Sequence, residues 1–160
     1  VNSKVSYKNN SKSDAWPGGL YKSYSRFYLP KGVKLDKIVT SEVGNNNTAK
    51  KVRSSDIIKT VEEEKQVYGT LIEVPPGKQV SVEIFYTLPN TVPDEGDIFN
   101  YSIYLQKQSG VEQMPTTLTI NYPESLKPAK LSQKAQLQPG IIKVESLLNK
   151  DHVFAVSFLR

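Results

Sequence analysis

The chain has 160 residues, a net charge of +5 and no cysteine, which excludes disulfides, thiol catalysis and thiolate metal sites. Its lysines are scattered, and the one tight basic cluster, Lys50, Lys51 and Arg53, is soon followed by Glu62-Glu63-Glu64; without a basic stripe or a groove-fitting helix, no nucleic-acid partner is expected. No apolar run approaches the roughly 18 residues of a membrane helix, so no direct membrane insertion of this segment is expected either.

Alternation of apolar and polar residues recurs along the chain, and period two is the mark of a half-buried strand. Val5 and Tyr7 alternate with Lys4, Ser6 and Lys8 in a first strand. Residues 9–19 form a polar loop ending in Trp16-Pro17-Gly18-Gly19, which is turn chemistry. Leu20–Leu29 is a second strand, with Tyr24, Arg26 and Tyr28 on one face. Pro30-Lys31-Gly32 turns into a third at Val33–Val39. The polar stretch Ser41–Ser55, with Asn45-Asn46-Asn47 beside Gly44, reads as a loop.

Ile57–Val61 and Gln66–Val74 read as strands around a charged stretch. Pro75-Pro76-Gly77 then opens the clearest strand, in which Val80, Val82, Ile84 and Tyr86 share one face. Phe99–Leu105 and Thr116–Tyr122 follow the same pattern. Residues 123–139 are ambiguous in composition: Ser132–Leu137 allows a helical turn, limited in length by Pro128 and Pro139. Ile141–Leu147 and Val153–Leu159 are expected to close the chain as a hairpin around Asn149-Lys150-Asp151.

Short strands at near-regular spacing, with turn residues between them, predict an all-β fold: an immunoglobulin-like antiparallel β-sandwich. One domain over residues 1–160 is expected. The chain starts without Met and ends inside a strand pattern, so it reads as a domain excised from a longer protein. The expected core is Phe27, Val82, Ile84, Tyr101, Ile103, Ile120, Val144, Phe154, Val156 and Phe158.

Few residues carry chemistry. His152 is the sole histidine and has no nucleophile motif with it; it reads as a polar residue beside a turn. No Gly-x-Ser-x-Gly, phosphate loop or HExxH is present, so no enzyme and no cofactor are expected. Asp94, Glu95 and Asp97 surround Gly96 and offer oxygens to a metal such as calcium, or simply solvate a loop. Trp16, Tyr21, Tyr24 and Tyr28 are candidates for stacking on sugar rings. Trp16 is equally a candidate plug for one end of the sandwich, and the plug is the expectation. Lys8 and Asn149, with Glu83 as proton carrier, suggest an intramolecular amide bond, which requires burial to shift both protonation states.

Several phrases together resemble a family: Tyr7-Lys8-Asn9-Asn10, Tyr24-Ser25-Arg26-Phe27-Tyr28-Leu29-Pro30-Lys31-Gly32, Pro76-Gly77, Tyr86-Thr87-Leu88-Pro89 and Tyr104-Leu105-Gln106-Lys107-Gln108-Ser109-Gly110. They are similar to the C-terminal β-domain of membrane-anchored bacterial envelope proteins of unknown function. One departure is Ser109, where the pattern has proline. The resemblance implies an extracytoplasmic position at the cell surface and no catalytic residues. A spacer or protein-interaction module follows, with other envelope proteins or cell-wall polymer as partners. The alternative is a carbohydrate-binding module for wall or capsule polymer. In either, Arg26 is expected to stack between Tyr24 and Tyr28.

Overall fold

The computed structural model describes residues 1–89, 96–107 and 109–160, and of Asn46 the backbone alone. Within them the chain is all-β: thirteen strands in antiparallel sheets, with one 3-10 turn at Ser54–Asp56. It divides into two compact units, Val1–Thr91 and Val92–Arg160. The strands pair into four sheets, which corrects the expectation of a single two-sheet sandwich. The physical reason is that the buried residues collect in two clusters, one per unit.

In the first unit, β1 (Asn2–Lys8), β7 (Gln79–Thr87), β3 (Lys34–Glu42) and β4 (Asn45–Lys51) form a sheet in the order β1-β7-β3-β4. The second sheet is β2 (Tyr21–Leu29), β6 (Lys65–Val74) and β5 (Ile58–Glu62), in the order β2-β6-β5. Period two sets the faces. Val82, Ile84 and Tyr86 of β7 meet Leu29, Tyr68, Ile72 and Val74 of the other sheet in one buried cluster with Val33 and Ile38. Pro75-Pro76-Gly77-Lys78 joins β6 to β7 as a turn closed by the Lys78 N–H donating to the Pro75 carbonyl at 3.1 Å. Gly77 sits at φ 70° there, a position that glycine takes without a Cβ penalty.

The loop expected over Ser41–Ser55 is instead the hairpin of β3 and β4, with Glu42 opposite Asn45. Thr48 holds it, accepting the Glu42 N–H at 2.7 Å and donating to the Asn45 carbonyl at 2.7 Å. As an edge strand β4 buries almost no side chain, so its polar composition carries no alternation to read.

In the second unit, β10 (Lys127–Leu131), β13 (His152–Leu159) and β8 (Ile98–Leu105) form one sheet. The other is β11 (Gln136–Gln138), β12 (Ile141–Leu148) and β9 (Met114–Asn121). Ile142 and Val144 of β12 pack with Phe154, Val156 and Phe158 of β13, ringed by half-buried Phe99, Tyr101, Ile103, Leu118 and Ile120. The closing hairpin is therefore corrected. β12 pairs with β9 and β11, and β13 with β8 and β10. The short turn carries the chain from one sheet to the other because both strands have an apolar face to bury against the same cluster. Ser132–Leu137, whose composition allows a helical turn, instead forms the connection after β10 and enters β11. Pro128 sits on edge strand β10 beside a register shift, where a missing N–H costs the ladder little.

Candidate functional site

The outward face of the β2-β6-β5 sheet carries three of the candidate residues, Tyr24, Arg26 and Tyr28. Register places Tyr24 opposite Leu71, Arg26 and Ile58 on either side of Gly69, and Tyr28 and Thr60 on either side of Val67. Gly69 matters here because a Cβ on it would stand 2.2 Å from the Tyr24 hydroxyl and 2.6 Å from its Cζ. The Tyr24 ring thus lies diagonally across Gly69 and fills the place of the missing side chain. Arg26 stands over the Tyr28 ring at 5.1 Å and pairs with Glu62. Glu62 also accepts hydrogen bonds from the Tyr28 hydroxyl at 3.3 Å and from Thr60 at 3.1 Å. Val67 is only 1% exposed although it lies on this face, opposite Tyr28 and Thr60.

The expected stacking of Arg26 between two tyrosines is thus half met: Tyr28 takes the guanidinium, and Tyr24 is committed to Gly69. Glu62, which the sequence shows only as part of a charged stretch, is the acid that fixes Arg26. The hydrogen bond from Arg26 holds the Glu62 carboxyl below the usual carboxylate range, and the same bond raises Arg26. A depressed carboxylate contributes stability above its unfolded pKa and loses it as pH falls through the folded pKa. Arg26→Lys is expected to move the Glu62 titration upward and to lower the melting temperature slightly, because an ammonium has neither the planar stack nor the fork. NMR of the side-chain carboxyl carbon reads the first effect; an unmoved titration would mean that the pair does not form in solution.

Beside this face an open groove of about 1140 Å³ runs within the first unit. One wall is β6, with Leu71 and Glu73, together with Tyr24 and Ile58; the other is β4, with Lys50 and Lys51. Leu71 and Ile58 are 55% and 56% exposed. The acids along the groove are taken up: Glu73 by Lys22 at 3.2 Å, Asp56 by Arg53 at 2.9 Å and Glu42 by Lys78 at 2.6 Å. Among the described residues, Lys50 and Lys51 have no ion-pair partner.

Trp16 is 93% exposed, which corrects the expectation that it plugs a sandwich end. Its loop is nonetheless well braced. Buried Asn9 donates to the carbonyls of Gly19 at 2.8 Å and Val74 at 2.9 Å, and accepts the Ser11 N–H at 3.0 Å. Ser11 Oγ accepts the Gly19 N–H at 3.3 Å and donates to the Ser13 carbonyl at 2.8 Å. These bonds satisfy the loop's own polar groups, so the indole is not needed as a cover. Tyr21 is at the start of β2 on the opposite parity from Tyr24 and Tyr28, so the four aromatics do not form one row.

No family model matches the chain, and a search of curated proteins finds no similar sequence.

Asp94 and Glu95 lie outside the described residues; Asp97 is exposed, and its carbonyl accepts the Arg160 N–H at 3.1 Å. Among the described residues no three His, Asp or Glu side chains stand together to hold a metal ion. His152 is half-buried and bonded to Gln133. Its neighbour Asp151 accepts the Tyr104 hydroxyl and the Lys107 N–H, which hold its carboxyl below the usual range. Lys8 and Asn149 are both exposed, so neither has the burial that amide formation requires. Among the described residues no helix is long and apolar enough to cross a membrane.

Proposed function

We propose that the chain is a non-catalytic interaction module of a bacterial envelope protein, held outside the membrane by other parts of its parent, with envelope proteins as partners. The Val1–Thr91 unit is read as an immunoglobulin-like sandwich. Its support is a four-stranded and a three-stranded antiparallel sheet that share one buried cluster. The observation that carries the interaction reading is the groove between β6 and β4. It joins exposed apolar side chains, Leu71 and Ile58, to two lysines that have no acidic partner among the described residues, and surfaces of that mixed kind mark binding sites.

A carbohydrate-binding module is the second reading, favoured by Trp16, a nearly fully exposed indole on a braced loop. Its emission is expected to be red-shifted and readily quenched by iodide. Trp16→Ala is expected to cost less than about 0.5 kcal/mol of stability, as surface substitutions do. Adding purified wall polysaccharide is expected to leave the emission unchanged. A saturable shift, lost in Trp16→Ala, would overturn the protein-interaction reading in favour of the glycan one.

A further inference from the structure

We infer that the groove receives an extended acidic segment of a partner protein, which adds to the open edge of β6 as a strand in line with β5. This rests on the interaction-module reading and names the partner's chemistry.

The turn between β5 and β6 fixes which way the main-chain groups of β6 point. Glu63 and Glu64 have φ of 46° and 61°, the two left-handed residues of a type I′ turn, with Glu62 opposite Lys65. In such a two-residue hairpin the flanking pair exchanges both main-chain hydrogen bonds. Antiparallel alternation then turns the N–H and C=O of Lys65, Val67 and Gly69 toward β5, and those of Gln66, Tyr68, Thr70, Ile72 and Val74 toward β2. The Val74 carbonyl agrees with this parity, since it accepts the Asn9 amide from the loop that leads into β2.

β5 begins at Ile58, opposite Gly69. Beyond that point the edge of β6 continues through Leu71 and Glu73 with no strand beside it among the described residues. The same alternation points the N–H and C=O of both residues into the groove. Among the described residues no hydrogen bond outside the ladders reaches these main-chain groups. The edge from Gly69 to Val74 spans about 16 Å at the strand repeat, room for a short added strand. Sheet edges are usually blunted by proline, bulges, inward charge or a cover. Here the pairing of β6 with β2 runs from Tyr21–Val74 to Leu29–Gln66 without a register shift, and no proline lies in β6.

The groove walls specify the occupant. Main-chain donors and acceptors at strand spacing match another main chain, as in β-strand addition. Tyr24, Leu71 and Ile58 offer apolar contact to one set of alternate side chains. Lys50 and Lys51, without an acidic partner among the described residues, offer charge to the other. An extended segment alternating apolar and acidic residues satisfies both walls.

The test uses the whole chain, nitrogen-labelled, with an acetylated and amidated octapeptide of alternating glutamate and valine. In the free chain the Leu71 and Glu73 amides are expected to exchange with solvent at least about a hundredfold faster than those of Thr70 and Ile72. Saturating peptide is expected to slow both at least about tenfold. Two further peptides carry N-methyl groups on every valine or on every glutamate. Only one edge of the peptide faces β6, so one of these is expected to bind and the other to fail. The Lys50→Glu, Lys51→Glu double variant is expected to weaken binding at least about tenfold while its melting temperature holds, because both lysines are exposed.

Strand addition is overturned if both methylated peptides bind alike, or if lysine in place of glutamate binds equally well. It also fails if nothing binds at millimolar peptide, or if the free chain dimerises through β6 and already protects Leu71 and Glu73. Each of those results leaves the wider interaction reading standing, since that reading falls on a different measurement, the polysaccharide response of Trp16.

Discussion

Replacing Phe154 by alanine is expected to destabilise the Val92–Arg160 unit by about 3–5 kcal/mol, the usual cost of deleting a buried aromatic ring and leaving a cavity. Phe154 is 1% exposed at the middle of β13, the central strand of its sheet, opposite Ile103. Its ring meets Ile142 and Val144 from the other sheet, and the cluster has few fully buried members to share the loss. A unit this small buries a modest fraction of its apolar surface, so a loss of that size takes most of its stability. Urea denaturation gives the magnitude, and amide exchange in β8, β12 and β13 locates it. Val153→Ala is the control: the neighbouring side chain is 53% exposed on the opposite face, and a change under about 0.5 kcal/mol is expected. Equal effects at the two positions would mean that the face assignment of β13 is wrong.

Ile84→Ala is expected to cost the Val1–Thr91 unit about 2–5 kcal/mol, and Ile84→Val about 0.5–1.5 kcal/mol. Ile84 is fully buried in β7, flanked by Ser3 of β1 and Ile38 of β3. The graded pair separates lost burial from a general defect in strand pairing, since valine keeps the branched Cβ that suits a strand. Denaturation followed by amide exchange in β3, β6 and β7 reads the loss. A cost near zero for alanine would place Ile84 on the outer face and reverse the assignment of the whole strand.

The strands whose one face is buried were legible from local pattern. In β7 the run Val80, Val82, Ile84 and Tyr86 alternates with more polar residues, and in β13 Phe154, Val156 and Phe158 do the same. Six of the expected core residues, Val82, Ile84, Val144, Phe154, Val156 and Phe158, are buried; Phe27, Tyr101, Ile103 and Ile120 pack on the clusters half-buried. Edge strands were not legible. β4 buries almost nothing, so selection on its faces leaves no period, and its hold comes from Thr48 bonding to main chain. β10 and β11 hid behind prolines for the same reason: an edge tolerates what a central ladder does not.

The candidate site was legible only as a set of residue types. Tyr24, Arg26 and Tyr28 share a face by parity, which sequence alone states. That Tyr24 covers Gly69, and that Glu62 captures Arg26, depends on the register of three strands, and register is a property of pairing rather than of any one segment. A hairpin read at Glu63-Glu64 would have been the one signal to find Glu62, but two glutamates at positive φ are not turn residues that composition favours.

Alternation, turn chemistry and the lack of cysteine thus determined an all-β antiparallel chain and ruled out thiol chemistry, because these features act between neighbours in sequence. Tertiary structure alone decided that the strands form four sheets, that β12 and β13 part across a core, that Trp16 stands in solvent and that the β6 edge is open. Each of these depends on which distant surface is present to cover a face, an indole or a main-chain edge, and no local pattern carries that information.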